Sequence, residues 1–318
     1  RRSRECGFAR NKTAYIGRHT QMDAEHSMQV ALHAGAHMTD EDRLITCLAE
    51  NREALARFGT NVPPTRSYRK LLRDILQRAQ EAQLSEEARE VMVDAISTED
   101  VTDRLVLSNH GFFGTPKMAV AGPILYPAAD MRLSLFRQMF ADDRLELFFG
   151  LRNPAMFLPA LLPGTPYTSV ARLLNDNDPA QMRWSELIAR IRNAHPDLPI
   201  TVWCNEDTPL IWSQIVREIA GIDATVPISG EFALLSEIMT KPGLQRFHAY
   251  IDSHPGMTEV QKRRVIAAFL DKFADEAAIE EELDVPGWTE DVVNRLTELY
   301  DEDLYEIQRL DGVQMITP

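Results

Sequence analysis

Gln29-Val30-Ala31-Leu32-His33-Ala34-Gly35-Ala36-His37-Met38-Thr39-Asp40-Glu41-Asp42 carries the signal that sets the fold. Its first six residues are apolar enough, and short enough, for a buried strand, so Gln29 to Ala34 is predicted as one. A glycine turn and a polar run follow. Beyond Asp42, residues Leu44, Cys47, Leu48, Leu55 and Phe58 fall on one helical face. The stretch therefore reads as strand, turn and amphipathic helix.

The same alternation continues outward. Arg104 to Ser108, Arg144 to Leu151 and Ile200 to Cys204 are predicted strands, and Met182, Leu187, Ile188 and Ile191 share a helical face between the last two. Pro196 and Pro199 mark a tight connection into the fourth strand. Strands alternating with helices predict an α/β fold of three layers, a central and mainly parallel sheet covered by helices. After Gly221 strand signals largely stop. Phe232 to Leu310 reads as helices separated at Lys241-Pro242-Gly243, His254-Pro255-Gly256 and Val285-Pro286-Gly287. No Gly/Ser-rich linker frees this helical C-terminal portion, so residues 28–318 are expected to form one domain. Residues 1–27 hold six Lys and Arg and no apolar core of a secretory signal. They are expected to be a flexible extension or an upstream over-extension of the start.

Composition excludes several classes. At 318 residues and 44% hydrophobic content the chain can bury a full core, and no apolar run reaches the length of a membrane span. Cys6, Cys47 and Cys204 form no metal-ligand spacing, and they point to a reducing, cytoplasmic setting with Cys47 and Cys204 as buried thiols. The formal net charge is -14, and Asp271 to Asp311 holds 15 Asp and Glu against 3 Lys and Arg. The remainder is nearly neutral, which argues against nucleic acid as a partner. A solvated helix face, or a surface for a basic partner, accounts for the acidic stretch.

In open α/β sheets the first strand-to-helix turn commonly receives a phosphate on free backbone N–H groups. Residues 33–42 do not fit the GxxxxGK[ST] nucleotide loop. They resemble the 5′-phosphosulfate loop of sulfotransferases, in particular bacterial sulfotransferase-like proteins with a Gly-Ala-His-Lys-Thr-Gly-Thr-Thr turn. Gly35, Ala36, His37 and Thr39 match. Asn51-Arg52, Tyr68-Arg69, Leu107-Ser108, Tyr126-Pro127, Leu151-Arg152-Asn153-Pro154 and Trp203-Cys204-Asn205-Glu206-Asp207 agree in order. The resemblance spans most of residues 28–318. It implies a P-loop sulfotransferase-like fold and sulfuryl transfer from 3′-phosphoadenosine 5′-phosphosulfate, with Gly35, Ala36, His37, Thr39 and Arg152 binding that donor.

The departures from the family pattern bear on activity. Met38 stands where the family's loop lysine neutralises the phosphosulfate, and Asp40, Glu41 and Asp42 replace a glycine and two hydroxyl residues. Like charges about 5 Å apart repel by roughly 3 kcal/mol per pair at an effective dielectric near 20. Thr39 and Asp42 alternatively form a capping box, with the acids favouring the helix dipole. In the second family signature Arg152 would hold the 3′-phosphate, while Ala160 stands in place of the expected serine. Arg152 alternatively forms a salt bridge or caps a carbonyl.

Sulfuryl transfer also needs a base near the acceptor hydroxyl. His110, after the second of these predicted strands, is the best-placed histidine; the alternative is a surface or hydrogen-bonded residue. Asp40, Glu41 and Asp42 with His37 and Glu206 or Asp207 offer hard-cation ligands, but their spacing fits no metal motif and no metal is expected. Glu206 and Asp207 either act at a strand's carboxyl end or cap the helix beginning near Thr208-Pro209. Tyr68, Arg69, Lys70 and Arg73 form a basic cluster facing an anionic ligand or a nearby acidic face. Two functions follow: a sulfotransferase, or a non-catalytic descendant that binds or scaffolds a small-molecule or protein ligand.

Overall fold

The computed structural model describes residues 27–78, 86–96, 102–279 and 285–318. The expected N-terminal extension lies outside them except for Ser27. Among the described residues the strands are β1 (Gln29–His33), β2 (Thr60–Asn61), β3 (Arg104–Ser108), β4 (Val120–Ala121), β5 (Ile124–Leu125), β6 (Arg144–Leu151), β7 (Ile200–Cys204) and β8 (Val313–Ile316). Six form one sheet in the order β2-β3-β1-β6-β7-β8, and every pairing in it is parallel. β4 and β5 make a separate antiparallel hairpin.

Period-two alternation sends each strand's side chains to two helical layers. Val30, Leu32, Leu105, Leu107, Leu147 and Phe149 pack with Tyr68, Leu72, Leu133, Phe136 and Leu187 on one face. Ala31, Val106, Phe148 and Trp203 pack with Leu44, Leu48, Ile211 and Ile215 on the other. Burying such side chains stabilises by about 1.5–3 kcal/mol each, as an upper bound. The central strands are thus covered on both faces, as their continuous apolar runs predict. The result is a three-layer α/β architecture around a six-stranded parallel sheet.

Three expectations need correction. The strands do not stop after β7. The helix Glu290–Gln308 crosses one face of the sheet and returns the chain as β8 alongside β7. Val313-Gln314-Met315-Ile316 is too short, and too close to an acidic helix, to stand out as a strand. The first helical stretch also breaks, because Asn51 leaves helical geometry between Arg43–Glu50 and Arg52–Ala56. Its side chain pairs with both the N–H and the carbonyl of Ser229. Phe58 lies beyond the second helix and is 53% exposed, off the apolar face assigned to it. Finally, β1 ends at His33 rather than Ala34.

Elsewhere the C-terminal portion is helical. Leu235, Met239, Phe247 and Ile266 make their own small core. Within it the helix Lys241–Ser253 approaches Phe273 so closely that a Cβ on Gly243 would lie 2.3 Å from the Phe273 Cβ. The acid-rich helix exposes Glu298, Asp301 and Glu302 to solvent, yet Asp303 is buried. Its carboxylate accepts the Trp184 N–H at 2.6 Å, the Ser185 N–H at 3.2 Å and the Ser185 hydroxyl. Asp303 thereby caps the helix Trp184–Ala194 from another element, since Arg183 at its N-cap provides no side-chain acceptor. Cys47 and Cys204 are buried free thiols, which burial pushes up to about 11 and about 12. No described helix is long and apolar enough to cross a membrane.

Candidate functional site

β1 sends the chain toward β2 and β3, whereas β6 sends it the other way, toward β7. Their outgoing loops diverge, so a crevice opens between the carboxyl ends of β1 and β6, the usual ligand position in such sheets. The turn after β1 and the residues Arg152 and Asn153 after β6 meet there.

The turn extends the ladder beyond β1. Ala34 N–H donates to Phe148 O at 3.1 Å and Ala36 N–H to Gly150 O at 3.0 Å. Between them Gly35 has φ +38°, and a Cβ there would stand 3.1 Å from His33 Nε2. His37 N–H donates to the Tyr126 hydroxyl at 2.8 Å. Thr39 turns its hydroxyl back onto Ala36 O at 2.7 Å. Met38, Glu41 and Asp42 all take positive φ, at 58°, 49° and 67°. Left-handed backbone in side-chain-bearing residues stores strain of about 1–3 kcal/mol per residue. This turn is held by its surroundings rather than by local preference.

The capping box expected from Thr39 and Asp42 does not form. Asp42 instead forks onto Arg69, with both oxygens 2.7 Å from guanidinium nitrogens. That hydrogen bond holds its carboxyl below the usual range. Asp40 acts at the helix start in its place, where Oδ1 accepts the Leu44 N–H at 2.7 Å. Burial pushes the Asp40 carboxyl up to about 6. Glu41 points to solvent beside Arg43. The three acids diverge, and among the described residues no three His, Cys, Asp or Glu side chains converge as metal ligands.

Arg152 is 7% exposed and donates Nη1 to the Met38 carbonyl, so it caps a carbonyl of the turn. Ala160 lies in the helix Pro154–Leu161 and contributes only a methyl group. Glu206 does not cap the helix Thr208–Ala220, which has no side-chain cap. It accepts the Asn153 N–H at 2.8 Å and the Tyr300 hydroxyl at 3.2 Å, joining the loops after β6 and β7 to the last helix. Burial raises its carboxyl.

Two cavities flank the turn. One, of about 510 Å³, adjoins β7 and the helix Thr208–Ala220. Among the described residues its lining includes Asp40, Glu206 and Glu237 but only one cation, Arg43, which Glu237 engages at 2.9 Å. The other, of about 550 Å³, lies between the helix Thr65–Arg78 and the loop after β3. It is lined by Arg66, Arg69, Lys70, Arg73, Arg132 and the imidazoles of His37 and His110, with no carboxylate among the described residues.

His37 is 1% exposed, and its Nδ1 lies 2.7 Å from the Tyr126 hydroxyl. That hydroxyl accepts the His37 N–H, and among the described residues its own hydrogen has no acceptor but Nδ1, to which it therefore goes. The imidazole hydrogen is thereby assigned to Nε2. No hydrogen bond of good geometry meets Nε2, although the Gly114 carbonyl lies near enough to raise the ring's pKa as a backbone acceptor. Burial pushes His37 down to about 4, so the ring is neutral at pH 7. Tyr126 holds this geometry at φ 42°, a strained value for an aromatic residue.

His110 stands exposed at the same cavity, its ring 5.4 Å from that of His37, and burial lowers its pKa. His33 faces the opposite layer, stacked on Trp203 at 5.7 Å and bonded to the Ser108 hydroxyl. Burial pushes His33 down to about 3.

No family model, curated protein or solved structure matches the chain. Gly35, Ala36, His37, Thr39 and Arg152 are brought together at the crevice, whereas His110 belongs to the basic cavity beside it. Arg66 and Arg132 were not among the residues singled out in the sequence, and Tyr126 entered only as part of the Tyr126-Pro127 match. Arg66 extends the Arg69, Lys70 and Arg73 series at helical spacing, a readable signal. The contact of Tyr126 with His37 and the place of Arg132 at the cavity carried none, because only the tertiary fold makes them.

Proposed function

We propose that the chain is a sulfotransferase-like α/β protein whose donor-binding turn is closed, and that it acts as a binding or scaffolding module without sulfuryl transfer. The observation that carries this reading is the Asp40 carboxylate on the Leu44 N–H, which fills the helix N-terminus that a phosphosulfate would need. Ala36 and His37 spend their N–H groups on Gly150 O and Tyr126. Arg152 engages Met38 O. With Met38 in place of a lysine and carboxylates lining the adjoining cavity, the residues present do not fit 3′-phosphoadenosine 5′-phosphosulfate.

A second reading, an active sulfotransferase, draws support from His110. Its lowered pKa leaves it neutral, and it stands at a cavity beside the turn, where a base could take the proton of an acceptor hydroxyl.

Calorimetric titration with adenosine 3′,5′-bisphosphate at low salt separates the two. The wild type is expected not to bind at the turn, and a variant carrying Met38→Lys and Asp40→Gly is expected to gain a site there, because it restores a cation and frees the Leu44 N–H. Binding near micromolar by a chain in which Arg66→Ala and Arg73→Ala disable the neighbouring basic cavity would overturn the closed-turn reading. Binding by neither would confine the resemblance to the fold.

A further inference from the structure

From the basic cavity beside the turn we infer that the chain binds a small organic molecule bearing a phosphate or sulfate ester. The inference goes beyond the proposed function, because it holds whether or not the chain transfers a sulfuryl group.

Arg66, Arg69, Lys70 and Arg73 recur at i, i+3, i+4 and i+7, so they stand along one face of the helix Thr65–Arg78. That face forms one wall of the cavity. Their existing partners neutralise only part of the charge. Arg69 is matched by Asp42, and Lys70 and Arg73 share Asp74 at 2.9 and 3.9 Å. Arg66 has no ion pair among the described residues. Across the cavity Arg132 donates Nη1 to Phe112 O at 3.0 Å, but its buried Nε has no acceptor. Net positive charge therefore faces a concave space whose described lining holds no carboxylate.

The second observation is independent of that charge. His37 is buried, its Nε2 carries a hydrogen, and the nearby Gly114 carbonyl does not meet it in good hydrogen-bond geometry. A buried donor without an acceptor destabilises the fold unless a ligand satisfies it. A tetrahedral oxyanion supplies the acceptors that His37 Nε2 and Arg132 Nε lack, and guanidinium groups match its geometry. The remaining lining includes Leu76, Phe112 and Pro116, which suit a compact carbon skeleton rather than a bare ion.

The test titrates the chain at low ionic strength with inorganic phosphate and, separately, with inorganic sulfate. Heat of binding and the ¹⁵N resonances of the His37 ring are followed together. Binding of either anion with movement of Nε2 is expected, and the tighter of the two tells a phosphate ester from a sulfate ester. A variant carrying Arg66→Ala and Arg73→Ala, both at exposed positions, is expected to weaken binding at least tenfold while keeping its far-ultraviolet circular dichroism.

Absence of binding by both anions, or binding undiminished in that variant, would overturn the inference. So would saturation that leaves His37 Nε2 unmoved. Adenosine 3′,5′-bisphosphate is itself a phosphate ester, so its binding counts against the closed turn only where it persists with Arg66→Ala and Arg73→Ala, which keeps failure of one reading distinguishable from failure of the other.

Discussion

The Asp40 carboxylate accepts the Leu44 amide hydrogen at 2.7 Å, and burial lifts its pKa to about 6. A carboxyl protonates more readily in the folded chain than in the unfolded one when its folded pKa is raised. Its contribution to stability is therefore present at low pH and lost as pH rises through the folded value. From about pH 4.5 to about pH 7.5 the loss is about 2 kcal/mol. Asp40→Asn keeps an acceptor for Leu44 without the titration. Urea unfolding at both pH values should show the variant gaining on the wild type by about that amount as pH rises.

His33 and His37 act in the opposite direction, with pKa values lowered to about 3 and about 4 by burial. Their neutral forms favour the fold fully above the unfolded pKa near 6.5, and that stability is lost as pH falls. The loss reaches roughly 2 kcal/mol for each by about pH 5. Imidazole proton resonances assigned to these two residues should stay flat from about pH 7.5 to about pH 5. Titration of either ring within that window would contradict the buried geometry.

Asp303→Ala removes the cap of the helix Trp184–Ala194 and leaves the Ser185 hydroxyl and two amide groups without their acceptor. A lost cap with charged hydrogen bonds costs about 2–3 kcal/mol. The urea midpoint should fall with its slope unchanged. Asp303→Asn, which retains one acceptor oxygen, should lose less.

Gly243→Ala forces a methyl group against Phe273 where the two helices touch. Overpacking of this kind costs about 1–3 kcal/mol. The cost belongs to the small core around Phe247, so hydrogen exchange should quicken over Lys241–Phe273 while β1, β3 and β6 remain protected.

Long apolar strands were legible in the sequence. β3, β6 and β7 match the predicted bounds, and β1 differs by one residue, because Val, Leu and Phe buried on both faces leave continuous apolar runs. β2 is two polar residues, and β8 interrupts its apolar positions with Gln314, so neither carries a pattern. The turn after β1 was legible as a break between strand and helix. What Asp40, Asp42 and Glu206 do there was not legible, because each meets a partner on a different element. Local capping rules favoured Thr39 with Asp42, and Arg69 overrode them from the next long helix.

The Asp303 cap has a consequence for the order in which the molecule can form. Trp184 and Ser185 emerge from the ribosome more than a hundred residues before the carboxylate that closes their helix. β7 likewise keeps an open edge until Val313–Ile316 has been made. A nascent chain halted before the last helix thus presents a frayed helix and a bare strand together. Vectorial synthesis leaves the completion of this sheet to Val313–Ile316, and a chain halted before them exposes the unpaired strand edge on which aggregation starts.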